Sequence, residues 1–454
     1  MSKDHVLYLY ETAVGLGHQR RASGIVNAML DAGLSVGVAA GSFVESDKFF
    51  DPRAELVPLP ANRRSADKNG IYYYYNERND LVPDPGFSWE VWHKERVKAI
   101  APFLESRSLS ALITEWWPFQ RRAQFNKIIK AAIKIQNERF GNKPLLISSV
   151  RDITRASQNL QPGDAVKNKE TRAIEIINNS VDTVLVHGDP SLVHFREILP
   201  QYGEIEKPVI YTGYVVNDAA LASSNSEREK RVVVSTGSGD GAANFLKRAV
   251  RTVPLTKLRD FEWHFVMGPR MPEKDRFAFR AVADRVAARS GCRIVVHDMM
   301  MELPAFLCRS SFSVSFAGYN TTMEVLASGI PALLTPKHRA KGSHVTYFDK
   351  EQWKRLVRLQ EKGMAFVVHP QDTVSLERFA VLIDEAYDRG SPACALDLSG
   401  AKNTAIEIKR MIAERKKQNE AKIVQFPAQA AKPYYPTSGL DPDFRPSQQA
   451  LGLK

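Results

Sequence analysis

Short apolar runs alternate with longer amphipathic stretches along the first half of the chain. Apolar runs of five to seven residues bounded by polar or glycine positions are typical of buried strands. They are HVLYLY, SVGVAAG, LSALITE, PLLISSV and DTVLVHG. The stretch QRRASGIVNAMLDAG between the first two has helical periodicity and ends at Gly33. Strands that alternate with helices of this length predict βαβ units and a parallel sheet.

The alternation stops at a polar segment and then restarts. Residues 219–230 are small, polar and charged, which predicts a linker between two domains. The strands predicted after it are RVVVS, EWHFVMG, CRIVVHD, FSVSFAG and PALLTP. The pattern therefore predicts an α/β protein with two Rossmann-like domains, at residues 1–218 and 231–395. A charged helix follows at residues 396–422, and the Pro-, Ala- and Gln-rich residues 423–454 predict a disordered tail.

Composition narrows the possible functions. A chain of 454 residues is too long for one ordinary hydrophobic core, and a composition of 44% hydrophobic and 25% charged residues is typical of globular proteins. The first residues lack the order of a signal peptide, and no apolar run reaches about 20 residues, so we expect a cytoplasmic protein. The formal net charge of +12 predicts an anionic partner. Because the sequence contains no nucleic-acid-binding motif, we expect this partner to be an anionic substrate or membrane surface and not a nucleic acid. The three cysteines show no metal-ligand spacing, and we expect no metal site.

Two glycine-rich loops follow predicted strands. Gly15 and Gly17 precede His18 after the first strand, and Gly237, Ser238 and Gly239 follow the first strand of the second domain. Such turns let backbone N–H groups and a helix N-terminus approach phosphate oxygens. The second loop lacks the lysine of a Walker A motif and the spacing of a dinucleotide fingerprint. Either loop is alternatively an ordinary turn with a surface side chain.

A third loop carries a carboxylate. In AGYNTTMEVLASG, the turn at Gly318 follows a strand, and we predict a helix that begins near Thr321 or Thr322. The N–H groups of Asn320 and Thr321 would then face a diphosphate. Glu324 would lie near the third helical position. It is either a ribose ligand or a member of a capping box.

The segment from VVHDMMMELPAF through EQWKRLVRLQEKG resembles the donor half of GT-B glycosyltransferases of family 28, which include peptidoglycan lipid-intermediate N-acetylglucosaminyltransferases. The resemblance assigns Glu324 to the nucleotide ribose and the polar pair Glu351 and Gln352 to the donor sugar. Glutamate at 351, where the family often has glutamine, departs from the pattern. The resemblance also assigns a contact with the nucleotide base to the main chain at His297.

The N-terminal loop with Gly15, Gly17 and His18 also matches the family. The segments TEWWPF, SVRDI, VHGDPSL and YTGYV are similar to a predicted bacterial subgroup. The resemblance implies a GT-B architecture in which two domains face a central cleft and the C-terminal helix packs back on the first domain.

The resemblance further implies single displacement with inversion at the anomeric carbon and no bound cofactor or metal. His18 is the first candidate for the general base, because imidazole titrates near neutral pH. Glu115 and Asp152 are alternatives at strand ends that face the same cleft. Asp152 is alternatively half of an ion pair with Arg151. Trp116 and Trp117 line an acceptor cleft in one interpretation and pack in the core in the other.

We therefore predict a hexosyltransferase that uses a nucleotide sugar, with UDP implied by the resemblance. The acceptor would be a hydroxyl of a lipid-linked, polysaccharide or other cell-envelope molecule, and the positive net charge favours peripheral contact with an anionic membrane. A non-hydrolysing UDP-sugar 2-epimerase and a non-catalytic sugar-nucleotide-binding protein are the alternatives.

Overall fold

The first half of the chain forms a parallel sheet with helices on both faces. A computed structural model describes residues 4–11, 16–63, 66–75, 81–119, 122–153, 164–216 and 227–425. The strands of this half are β1 (His5–Leu9), β2 (Ser35–Ala40), β3 (Glu55–Pro58), β4 (Tyr72–Tyr75), β5 (Leu81–Asp84), β6 (Leu109–Glu115), β7 (Leu145–Arg151), β8 (Thr183–His187) and β9 (Val209–Tyr211). Seven of them form one sheet in the order β3-β2-β1-β6-β7-β8-β9, and β4 and β5 form a separate hairpin.

The helices of this half connect successive strands. They are α1 (Gly17–Asp31), α2 (Trp89–Glu105), α3 (Arg122–Phe140), α4 (Asp164–Ser180) and the short α5 (Phe195–Ile198). Side chains alternate across the sheet, so that Val6 and Tyr8 lie in one buried cluster and Leu7 and Leu9 in the other. Burial on both faces explains why these strands are apolar runs rather than alternating sequences.

The second half repeats the plan. Its strands are β10 (Glu229–Ser235), β11 (Glu262–Val266), β12 (Arg293–His297), β13 (Ser310–Phe316), β14 (Ala332–Thr335), β15 (His338–Lys341), β16 (His344–Phe348) and β17 (Phe366–Val367). Six form a parallel sheet in the order β12-β11-β10-β13-β14-β17, and β15 and β16 form a hairpin. The helices are α6 (Ala243–Thr252), α7 (Glu273–Ser290), α8 (Leu303–Cys308), α9 (Tyr319–Ser328), α10 (Lys350–Glu361) and α11 (Leu376–Arg389). The predicted fold class, two parallel-sheet α/β domains, is confirmed.

The last helix, α12 (Gly400–Gln425), returns to the first half. Its start is anchored there, because the N–H of Gly400 donates to the carbonyl of Tyr214 at 2.9 Å. Ala405, Ile408 and Ile412 then pack in the buried cluster of β1 and α1. The described residues up to Ile412 form one compact unit that contains both sheets, and residues 413–425 belong to a second unit.

The predicted domain boundaries remain predictions. The predicted linker at 219–230 overlaps residues 217–226, which lie outside the described part of the chain. The predicted tail at 423–454 lies outside it from residue 426 onward. No helix in the described ranges is both long and apolar enough to cross a bilayer.

Candidate active site

A cleft of about 520 Å³ lies at the carboxyl ends of strands from both sheets. This is the position in which open α/β sheets bind ligands. Nine of the predicted catalytic and donor-site residues line it, as does Trp116 of the predicted acceptor cleft; the nine are Gly17, His18, Gly237, Ser238, Gly318, Asn320, Thr321, Glu351 and Gln352. Five others lie behind or beside the lining, namely Glu115, Asp152, Gly239, His297 and Glu324. Gly15 lies outside the described residues.

His18 and Glu115 form a pair on the wall of the first domain. Nδ1 of His18 lies 2.8 Å from Oε2 of Glu115, although the two residues are 97 positions apart. Nδ1 also lies 3.4 Å from Nη2 of Arg21, but the contact with the carboxylate is the shorter one. An ionised carboxylate only accepts hydrogen bonds, so this contact favours the proton of neutral imidazole on Nδ1 and leaves Nε2 as the basic nitrogen. The His18 side chain is 18% exposed, whereas that of Glu115 is 2% exposed. Glu115 is thus placed to orient His18 rather than to face the cleft as a base.

Arg21 completes this arrangement from the next turn of α1. Its guanidinium donates to the other carboxylate oxygen of Glu115 and is equally buried. Hydrogen bonds between ionised groups are strong, so Arg21 holds in place the carboxylate that contacts the His18 ring. The sequence analysis treats the base candidates as separate residues, and no local pattern indicates that Arg21 contacts two of them, His18 and Glu115.

Asp152 is placed where it cannot serve as a base in the cleft. Its carboxylate is fully buried and accepts two hydrogen bonds from Arg355, both of 2.8 Å. The Tyr214 hydroxyl donates a third at 2.9 Å. Burial alone would raise the pKa of Asp152, but the Arg355 guanidinium outweighs it and holds the pKa below its usual range. Asp152 is thus ion-paired, but with Arg355 and not with the expected Arg151, which pairs with Glu351.

The glycine turn after β10 faces the cleft with two of its three predicted residues. Gly237 and Ser238 line the cleft, and Gly237 has a φ of 64°. Gly239 has a φ of 80°, and a Cβ there would lie 2.1 Å from the carbonyl oxygen of Met267. Gly239 therefore permits close packing of two backbone segments and does not line the cleft, so the structure does not support its predicted ligand role.

Helix α9 begins earlier than predicted. Gly318 is the N-cap and Tyr319 the first helical residue, so the N–H groups of Asn320 and Thr321 belong to the first turn. First-turn N–H groups have no partner within the helix and suit an anion. Glu324 is consequently the sixth helical residue rather than the third. The capping-box alternative is wrong, because the N-cap is a glycine and has no side chain.

Glu324 faces the first domain. Its two carboxylate oxygens accept from Nη1 of Arg20 at 3.0 and 3.2 Å. The side chain is 3% exposed and borders a small cavity beside the cleft, together with Arg20 and Asn320. Burial raises the pKa of Glu324, and Arg20 offsets part of that rise. A ribose bound to Glu324 would have to share the carboxylate with Arg20 or displace it, and the ribose assignment stays a prediction.

Glu351 and Gln352 begin α10, whose N-cap Asp349 accepts from the N–H of Gln352 at 3.1 Å. The Glu351 carboxylate accepts from Arg151 at 3.2 Å and from Arg355 at 3.1 Å. The Gln352 side-chain carbonyl accepts from a backbone N–H at 2.8 Å. Glu351 is thus held between two arginines, which accounts for an acidic residue at this position.

His297 does not border the cleft. Its ring lies against that of His264, with Nδ1 of His264 2.9 Å from Nε2 of His297. Its carbonyl accepts from the N–H of Met267 at 3.0 Å, within the sheet. The cleft wall beyond β12 is formed instead by Met299 and Met300. The lining therefore does not support the predicted main-chain contact of His297 with a nucleotide base, which stays a prediction.

The comparisons with known proteins lead to glycosyltransferases. No family model matches the chain. It is 22% identical, over 72% of its length and 83% of the relative's, to the UDP-N-acetylglucosamine–N-acetylmuramyl-(pentapeptide) pyrophosphoryl-undecaprenol N-acetylglucosamine transferase of Caldicellulosiruptor saccharolyticus. Proteins of the same name from Alkaliphilus metalliredigens and Listeria welshimeri are 23% and 25% identical over 51% and 34% of this chain and over 61% and 43% of their own length.

Solved structures share the fold at lower identity. UGT71G1 of Medicago truncatula, complexed with UDP-glucose, is 14% identical with a TM-score of 0.54, over 91% of this chain and 98% of its own. A UDP-glucosyltransferase of Polygonum tinctorium that glucosylates indoxyl is 13% identical with a TM-score of 0.53, over 94% and 99%. The two facing α/β domains and the returning C-terminal helix of this chain therefore form the GT-B fold of glycosyltransferases.

Proposed function

We propose that this protein is an inverting glycosyltransferase that moves a hexosyl or N-acetylhexosaminyl group from a UDP-sugar to a hydroxyl of a lipid-linked acceptor. One observation carries the proposal. A single cleft brings the His18–Glu115 pair of the first domain opposite the first turn of α9 and the Gly237–Ser238 turn of the second. A proton acceptor thereby faces a set of anion-binding N–H groups across a space that suits a small-molecule ligand.

The reaction follows from this placement. Nε2 of His18 takes the proton of the acceptor hydroxyl as its oxygen attacks the anomeric carbon, and the bond from that carbon to the diphosphate oxygen breaks. The Glu115 carboxylate stabilises the imidazolium. The α9 N-terminus and the glycine turn stabilise the charge that develops on the departing diphosphate. Lys337 and Arg339 add positive charge to the same wall, where Lys337 pairs with Asp240 at 2.8 Å.

The alternatives receive less support. The relatives named above are all transferases, and a 2-epimerase would release a rearranged UDP-sugar without any acceptor. A non-catalytic sugar-nucleotide-binding protein would bind UDP but show no turnover that depends on His18. Assays of UDP release with and without acceptor distinguish the three.

Nucleotide binding is tested by thermal unfolding in the presence of UDP, GDP, ADP and TDP. We expect UDP at millimolar concentration to raise Tm, because a ligand that binds only the folded state stabilises it by mass action. Glu324→Ala should abolish most of that rise, since it removes the proposed ribose ligand. Arg378→Ala, which changes a half-exposed arginine of α11 outside the cleft lining, is the control and should retain the rise. The absence of a shift with every nucleotide would refute the donor site.

We also propose a cytoplasmic location with peripheral contact at an anionic membrane, where a lipid-linked acceptor would reside. The net charge of +12 supports it, since clustered or summed basic charge attracts anionic lipids. We expect the protein to sediment with phosphatidylglycerol vesicles and not with phosphatidylcholine vesicles. Binding should weaken at 0.5 M salt, because screening shortens the range of the attraction. Equal recovery in both lipids would contradict the electrostatic contact.

A further inference from the structure

Trp116 has a backbone conformation that tryptophan rarely adopts. It directly follows β6 and has a φ of 66°, in the left-handed region. Among non-glycine residues in the described ranges, only Glu45 and Trp116 have a positive φ. Such a conformation is unfavourable for a bulky residue and persists only where the surrounding structure imposes it. The backbone N–H of Trp116 continues the sheet by donating to the carbonyl of Ser149 at 2.8 Å, so the strand ends in a fixed position.

The indole of Trp116 carries a second unfavourable feature. The side chain lines the cleft, and the residue is 4% exposed. Its Nε1 is buried and has no hydrogen-bond partner among the residues that the structure describes. A buried donor without an acceptor is destabilising, and most buried polar groups in proteins are paired. Two independent penalties, one in the backbone and one in the side chain, thus fall on one residue of the cleft.

The neighbours of the indole place it at the proposed reaction centre. Its ring lies 5.5 Å from the ring of His18 in an edge-on arrangement. The Arg151 guanidinium lies 4.3 Å from the ring centroid. Trp117 offers a contrast, because its Nε1 donates to the side chain of Asn126 at 2.7 Å and its ring belongs to the buried core. Only the first of the two adjacent tryptophans has an unused donor.

We propose that the Trp116 indole N–H donates a hydrogen bond to a hydroxyl of the sugar that enters the cleft beside His18. Trp116 is then a substrate-binding residue of the transfer proposed above, on which this inference rests. The sugar is the donor hexose or the acceptor sugar, since the two meet at the proposed base. The strained backbone holds the donor group in place before the substrate arrives, and substrate binding supplies the missing acceptor atom.

The experiment compares Trp116→Phe with Trp117→Phe. Each change keeps an aromatic ring and removes one indole N–H. Transfer is followed as UDP release from UDP-N-acetylglucosamine with N-acetylmuramyl-pentapeptide pyrophosphoryl-undecaprenol as acceptor, and stability as the urea midpoint. We expect Trp116→Phe to lower kcat/KM about 10-fold at an unchanged or higher midpoint, because it removes an unpaired buried donor. Trp117→Phe should lower the midpoint and leave kcat/KM unchanged.

Calorimetric titrations identify which sugar is bound. If the donor sugar accepts the bond, Trp116→Phe weakens binding of UDP-N-acetylglucosamine about 10-fold and leaves UDP binding unchanged. If the acceptor sugar accepts it, both nucleotides bind as in the wild type and the loss appears in kcat/KM for the acceptor. Either result supports the inference.

Two results would overturn it. In the first, the wild-type protein transfers sugar and Trp116→Phe does so equally well. In the second, Trp116→Phe lowers the urea midpoint as much as Trp117→Phe does, and the activity loss follows the loss of folded protein. A wild-type protein that neither binds UDP nor releases it from UDP-N-acetylglucosamine would instead refute the proposed function, and the inference with it.

Discussion

His18→Ala is expected to lower kcat for sugar transfer by about 10²- to 10⁴-fold, the range typical of a lost general base. UDP should bind to this variant nearly as in the wild type, because the diphosphate is proposed to contact α9 and the glycine turn rather than the imidazole. The His18 ring is held by Glu115 at 2.8 Å and is the more exposed member of that pair. Steady-state kinetics together with UDP titration measure the two effects separately.

Two further variants make this result specific. Glu115→Gln keeps a hydrogen-bond acceptor but removes the negative charge that stabilises the imidazolium, so its kcat should fall between those of the wild type and His18→Ala. His344→Ala changes an exposed histidine of the β15–β16 hairpin that does not line the cleft, and it should be close to wild type. If His18→Ala retains wild-type kcat, or loses UDP affinity in proportion to activity, His18 is not the base.

The elements of the fold could be predicted from the sequence because their signals are local. In β1, Val6 and Tyr8 face one side of the sheet and Leu7 and Leu9 face the other, and all four are apolar or aromatic. Such a continuous apolar run is typical of a strand that is buried on both faces. Gly237 and Gly318 also mark strand ends locally, because glycine has no side chain to hinder a tight turn of the backbone. Because strand ends of parallel sheets lie at one edge, the loops that meet at the cleft follow from the fold class.

The pairing of side chains within the site could not be predicted in this way. Glu115 contacts His18 from a position 97 residues away, and Arg355 contacts Asp152 across 203 residues. Nothing local distinguishes these arginines and carboxylates from solvent-exposed ones. The start of α9 was misplaced by two to three residues for a related reason, since Gly318 caps the helix through its backbone and leaves no side-chain signal.

The ion pair between Asp152 and Arg355 should contribute most to stability among the contacts that join the two sheets. Asp152 ends the β7 region of the first domain, Arg355 lies on α10 of the second, and both side chains are at most 1% exposed. Removal of one partner from a buried pair leaves an uncompensated charge, which typically destabilises by about 3–5 kcal/mol. We therefore expect Asp152→Ala to lower the free energy of unfolding by that amount, measured by urea denaturation.

The double variant Asp152→Ala, Arg355→Leu should be more stable than Asp152→Ala alone, because it removes a buried guanidinium that would otherwise keep Glu351 as its one carboxylate partner in the described part of the chain. Arg358→Ala is the matched control, since its pair with Glu197 also joins the two domains but is about 40% exposed on both sides, and such pairs contribute little. A loss under about 1 kcal/mol in Asp152→Ala would contradict the buried pair as a determinant of stability.

The free energy of unfolding of the wild type should fall as the pH drops below about 4. The pKa of Asp152 is lowered in the folded state, so the unfolded chain takes up this proton first as the pH falls, and urea denaturation at several pH values measures the loss. Asp152→Ala should also raise KM for the UDP-sugar, because Arg355 also donates to Glu351, which lines the cleft.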